Sequence, residues 1–63
     1  MIARDKAIIM VAKYEKLGID FEVAKQCALL ECDAIIELLQ DMSSVFPGIF
    51  QYYHSVKQHI ENL

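Results

Sequence analysis

The residues that could do chemistry are concentrated in one segment, QCALLECDAIIELL, which spans residues 26–39 and holds both cysteines and three acids. In a continuous helix, the neighbours of Glu31 three and four positions away are all apolar. They are Cys27, Ala28, Ala34 and Ile35. A carboxylate in this position could pair with a cation, bind a ligand or act as an acid catalyst. Left unpaired in an apolar face, it would be costly to bury.

Three interpretations of Glu31 follow, and the favoured one is a structural ion pair with a basic group of the first helix. That helix offers Arg4, Lys6, Lys13 and Lys16. The second interpretation breaks the helix near residues 31–33, with Asp33 as a new N-cap. This break lacks Gly or Pro, and it lacks a capping box because Ile36 stands where Glu or Gln would be needed. The third interpretation makes Glu31 a functional carboxylate.

The spacing of the other reactive residues predicts no metal, cofactor or catalytic site. Cys27 and Cys32 are five residues apart, so on a helix they are separated by about 500° of rotation and point in different directions. We expect both to be reduced and structural. His54 and His59 are also five apart, not the four that would place them on one face for a metal. The sequence has no glycine-rich phosphate loop, and we predict that the protein is not an enzyme.

The elements that position these residues are predicted to be three helices in a single domain covering residues 1–63, which makes the fold all-α. Gly18 and the Pro47-Gly48 pair separate the helices, which we place at about 2–17, 21–42 and 45–62. The short connection around Gly18 predicts an antiparallel hairpin of the first two helices. Asp20 is the predicted N-cap of the second helix. The third helix has a possible cap at Ser43 or Ser44.

The apolar content exceeds what a small core needs. Of the 63 residues, 56% are apolar, and a chain of this length buries only about 60% of its unfolded surface. Apolar residues cover a wide arc of the second helix, including Leu38. We therefore expect oligomerisation to complete the helical bundle, with a two-fold homodimer as the default. The predicted interface lies on the third helix, at Phe46, Phe50, Tyr53 and Ile60.

Residues 23–39, VAKQCALLECDAIIELL, resemble the helix-turn-helix motif of DNA-binding regulators. Ala24 lies in its first helix, and Ala28 stands where glycine is common. The resemblance implies a transcriptional regulator. The charge pattern argues against it, because residues 26–56 contain no Lys or Arg for phosphate contacts. The motif would also place Glu37 at a core position.

The charge distribution favours a protein partner over nucleic acid. Residues 1–17 hold four basic and two acidic groups, which gives a net charge of +2. Residues 18–42 hold one basic and six acidic groups, which gives a net charge of −5. The only early apolar run, AIIMVA, is too short for a signal peptide or a membrane span. We predict a cytoplasmic, homo-oligomeric protein–protein interaction module that binds and modulates another protein. The alternative is the helix-turn-helix-like regulator.

Overall fold

The computed structural model describes residues 1–42 and 44–63, which form three helices. These are α1 (Ala3–Glu15), α2 (Phe21–Gln40) and α3 (Pro47–Glu61). No strand occurs in the two described ranges, so the prediction of an all-α protein is confirmed. Each helix is shorter than predicted by two or three residues. None of the helices in these ranges has the length and apolarity needed to cross a membrane.

The connection between α1 and α2 follows the predicted turn chemistry. The backbone N–H of Gly18 donates to the carbonyl of Glu15 at 2.9 Å. Gly18 has a φ of 88°, in the left-handed region that residues with a Cβ rarely adopt. Asp20 then caps α2, because its Oδ1 accepts a hydrogen bond from the N–H of Val23 at 3.1 Å. The predicted N-cap at Asp20 is confirmed.

The start of α3 differs from the prediction. The helix begins at Pro47, whose missing N–H is not needed in a first turn. Phe46 is the N-cap residue, with φ −126° and ψ 61° and no side-chain cap hydrogen bond. A residue that precedes proline is driven out of the helical region, so α3 cannot begin at residue 45. Ser44 therefore does not cap it, and the possible cap at Ser43 lies outside the described residues.

The core is small and lies where all three helices meet. Each helix contacts the other two, in a molecule of 38 × 19 × 16 Å. Several core positions are alanines, which let the helix axes approach closely. The buried residues are Ala7, Met10 and Val11 of α1, Ala24, Ala28 and Cys32 of α2, and Val56 and Ile60 of α3.

The first two helices form a hairpin. Sγ of Cys32 lies 4.0 Å from Sδ of Met10, and Glu31 contacts Lys13 and Tyr14. Moving forward along α1 from Met10 to Lys13 therefore means moving back along α2, as in an antiparallel pair.

The bundle is not equally thick along its length. With 13 residues against 20, α1 is about 20 Å long and α2 about 30 Å. In an antiparallel hairpin, α1 begins beside the end of α2, and the contact of Met10 with Cys32 places Ala3 about level with Leu39. The core thins towards this end, because no residue of α2 after Cys32 is fully buried, and no residue of α3 before Val56. We call this incompletely covered region the open end. It comprises Ile35, Leu39, Met42, Phe46, Ile49, Phe50 and Tyr53.

Candidate functional site

Glu31 links the first two helices through one carboxylate oxygen. Its Oε1 accepts a hydrogen bond from Nζ of Lys13 at 2.8 Å and another from the hydroxyl of Tyr14 at 2.7 Å. Glu31 is mostly covered, with 28% of its side chain exposed, whereas 55% of the Lys13 side chain is exposed. Of the four basic residues that the sequence offered, Lys13 is the one that pairs with Glu31.

The electrostatics of this cluster are those of a stable ion pair. Burial alone would raise the pKa of Glu31, but the hydrogen bonds from Lys13 and Tyr14 outweigh burial and lower that pKa below its usual 4.5. The hydrogen bond to Glu31 raises the pKa of Lys13 above 10.5 and the pKa of Tyr14 above 10.0. All three groups therefore keep their usual protonation states at neutral pH, which suits a structural link.

Tyr14 is the member of this cluster that the sequence did not reveal. Its spacing with Met10 and Val11 places its ring on the core face of α1, and the ring does pack against the core. The hydroxyl reaches beyond the core to the carboxylate, as is common for partly buried tyrosines. The sequence feature that could have indicated this contact is Glu31 itself, an acid within the apolar stripe of the helix that faces Tyr14.

The helix does not break near Glu31. Residues 31–33 lie inside α2, which is continuous from Phe21 to Gln40. The segment that resembles a helix-turn-helix motif therefore contains no turn. Asp33 is not an N-cap but an exposed acid, and its Oδ1 lies 2.8 Å from Nζ of Lys57 in α3.

Both cysteines carry free thiols. Cys32 is buried in the core, and this burial raises the pKa of its thiol. Cys27 is half-buried. The two side chains thus occupy different environments, as their spacing indicated.

The open end is an incompletely covered continuation of the core. Met42, Phe46 and Ile49 are exposed there, while Phe50 is half-buried. The inward stripes of α2 and α3 continue into this region, where their residues are half-buried or exposed. A surface with this composition can take a further apolar partner.

The four residues of the predicted interface do not lie together. Phe46, Phe50 and Tyr53 belong to the open end, although Tyr53 also packs against the core. Ile60 has no exposed surface, because it is enclosed by the core of its own chain. We correct the prediction accordingly, since a second subunit cannot reach Ile60. Ile49 takes its place as an exposed residue of this surface.

A second apolar surface lies on the outer side of α2. Leu30 and Leu38 are 69% and 77% exposed, and each lies about one helical turn from the exposed Ala34, on opposite sides of it. The wide apolar arc had placed Leu38 with the core-facing residues, but the structure turns it to the outside. Full burial in α2 is limited to the line through Ala24, Ala28 and Cys32.

The chain matches no protein-family model, no curated protein and no solved structure in the three comparisons made.

Proposed function

We propose that this protein is a small helical protein–protein interaction module that self-associates through its open end. The observation that carries the proposal is the incompletely covered continuation of the core at the open end. Ile49 lies on the same face of α3 as buried Val56 and Ile60 but is 49% exposed, so it continues the core line where the cover is incomplete. A second chain that supplies the missing cover would complete the bundle.

The open end is suited to contact with a copy of itself because it carries no fixed charge. From residue 42 to residue 56 the sequence contains no Asp, Glu, Lys or Arg. In a two-fold dimer the same patch meets itself, and like charges would repel there. Interface centres are also depleted of charge and enriched in aromatic residues and methionine. Met42, Phe46 and Phe50 fit that composition.

The energetic gain comes from a few large side chains. Full burial of an exposed Ile, Phe or Met is worth about 1.5–3 kcal/mol. The side chains of Met42, Phe46 and Ile49 are each a little less than half exposed, so each contributes roughly half of that range. Several such contributions from both subunits must exceed the entropic cost of association.

Two matched variants test this proposal. Ile49→Asp introduces a charge into the open end, whereas Val23→Asp introduces one elsewhere. The two positions are well matched: each is the third residue of its helix, and their side chains are 49% and 48% exposed. An acid in a first turn also suits the helix dipole in both cases.

Light scattering after size-exclusion chromatography should show the parent chain and Val23→Asp as dimers and Ile49→Asp as a monomer. If Ile49→Asp remains as large as Val23→Asp, the open end is not the self-association surface. Circular dichroism of both variants would establish that they remain helical.

The module is further proposed to bind and modulate another protein, and a cytoplasmic location stays a prediction. We do not propose the DNA-binding alternative. Its short turn is replaced by the continuous α2, and the acids of that helix would repel phosphates.

A further inference from the structure

The outer side of α2 combines an apolar stripe with an acidic border. Leu30, Ala34 and Leu38 recur every four residues, so they lie in line along the helix. A surface depression beside this line is bordered by Ala34, Glu37, Leu38 and Asp41. Its apolar part can receive an apolar side chain, and its two carboxylates can receive a cation next to that side chain.

The acidic charge of this surface is not neutralised by neighbouring basic residues. Glu37 and Asp41 are both exposed, and the described residues show no salt bridge to either carboxylate. No Lys or Arg occurs in residues 26–56, which cover most of α2 and the first two thirds of α3. The nearby acids Glu31 and Asp33 have their cations, Lys13 and Lys57. The uncompensated charge is therefore concentrated beside Leu38.

We propose that this outer face of α2 binds an amphipathic helix of another protein, with Lys or Arg bordering its apolar stripe. The inference rests on the proposed function, for which it names the chemistry of the partner. Apolar side chains of the partner would pack on Leu30, Ala34 and Leu38, in the manner of a helix in a groove. Its cations would pair with Glu37 and Asp41, which favours fast and salt-dependent association.

A second copy of this chain does not supply the required cations. Lys13 and Lys57 are already held in ion pairs. Lys6 and Lys25 are half-buried. Only Arg4 and Lys16 are exposed outside ion pairs in the described ranges, and the exposed acids Asp5 and Glu15 flank them in sequence. Although residues 1–17 have a net charge of +2, their exposed charged residues outside ion pairs are two bases and two acids. Two copies of α2 packed together would bring acid against acid.

The test uses a synthetic leucine–lysine peptide of about 18 residues, long enough to form a helix in water, and a leucine–glutamate peptide of the same pattern. Binding to the isotope-labelled protein is followed by NMR. We expect the lysine peptide to bind and to shift the amide signals around Leu30, Ala34 and Leu38. The glutamate peptide should not bind, and raised salt should lower the affinity of the protein for the lysine peptide.

Variants locate the site. Leu38→Gln should lower the affinity for the lysine peptide by about tenfold or more, as expected when one buried leucine is lost from an interface. Leu17→Gln is the matched control, because Leu17 is 73% exposed and Leu38 77%, and it should leave the affinity unchanged. Replacing Glu37 and Asp41 by Gln and Asn should flatten the salt dependence, whereas Glu22→Gln should not.

Three results would overturn the inference: no binding of the lysine peptide, signal shifts centred on Phe46 and Ile49, or equal affinities for Leu38→Gln and Leu17→Gln. A Leu38→Gln variant that dissociates the dimer in the absence of peptide would also overturn it, because the occupant would then be a second copy. Self-association is measured separately without peptide. A monomeric protein that still binds the lysine peptide would refute the dimer and leave this inference standing.

Discussion

Tyr14 and Glu31 are joined by a hydrogen bond of 2.7 Å between the phenol hydroxyl and the carboxylate Oε1. This contact lies at the edge of the core and links α1 to α2 across the hairpin. Because the same oxygen also accepts from Lys13, the carboxylate is held by two donors from consecutive residues. The apolar surroundings of Glu31 thus contain a satisfied acid, whose role is to fix the two helices to each other.

Replacing Glu31 by Gln should lower the free energy of unfolding towards the upper end of the about 0–1 kcal/mol typical of surface pairs. The matched control is Asp33→Asn, because Asp33 also pairs with a lysine at 2.8 Å but has 50% of its side chain exposed, against 28% for Glu31. We expect Asp33→Asn to lower the free energy of unfolding by less than Glu31→Gln does. Urea denaturation measures both. Equal losses would mean that the partial burial of Glu31 adds nothing.

The pH dependence of stability should bear the signature of this cluster. Because the pKa of Glu31 is lowered in the folded state, its contribution is complete above about pH 4.5 and is lost as pH falls through the folded pKa. The raised pKa values of Tyr14 and Lys13 affect stability at the alkaline end of the pH range. Their contributions are complete below about pH 10 and are lost as pH rises further.

The melting temperature should be measured from pH 3 to pH 11. In Glu31→Gln, the fall of the melting temperature towards acid pH should be smaller than in the parent protein. In Tyr14→Phe, its fall towards alkaline pH should be smaller. A Glu31→Gln profile that is parallel to that of the parent protein at acid pH would contradict the assignment.

The two thiols should react at different rates with a disulfide reagent. Cys32 is fully buried and burial raises its pKa, so little thiolate is accessible. Cys27 is half-buried and should react first in the native protein. In Cys27→Ala the early phase should disappear, and Cys32 should react only when the protein unfolds. An early phase that survives in Cys27→Ala would show that Cys32 is accessible.

Much of the fold could be predicted from single residues, because those residues act locally. Gly18 ends the first helical segment and Asp20 caps the second through contacts only three residues away. Glu31 needed a cation because of its apolar neighbours, although the sequence could not choose among four candidates. That choice depends on how α1 rotates against α2.

Other features depend on packing that periodicity does not encode. The stripe that contains Phe46 and Ile60 showed which face of α3 is apolar, but not how far along it the other helices reach. Ile60 is enclosed in one part of this stripe, whereas Ile49 in another part is 49% exposed. Leu38 was misplaced for a related reason. A wide apolar arc does not reveal which portion of it faces the core.

Ile60 should behave as a core residue of the single chain. Ile60→Ala should destabilise the fold by about 2–5 kcal/mol, as is typical for a buried isoleucine. Phe46→Ala should have little effect on the unfolding of the monomer and should weaken self-association instead. Unfolding measured at low protein concentration separates the two effects. Comparable losses of monomer stability in both variants would place Phe46 in the core as well.

Sedimentation equilibrium of the parent chain at micromolar concentration tests the central claim most directly. A self-associating module with an uncovered core end should sediment with about twice its 7.2 kDa chain mass. The apparent mass should fall towards the chain mass on dilution. A well-folded species that stays at 7.2 kDa across the concentration range would contradict the account, because the open end would then be stable in water without a partner subunit.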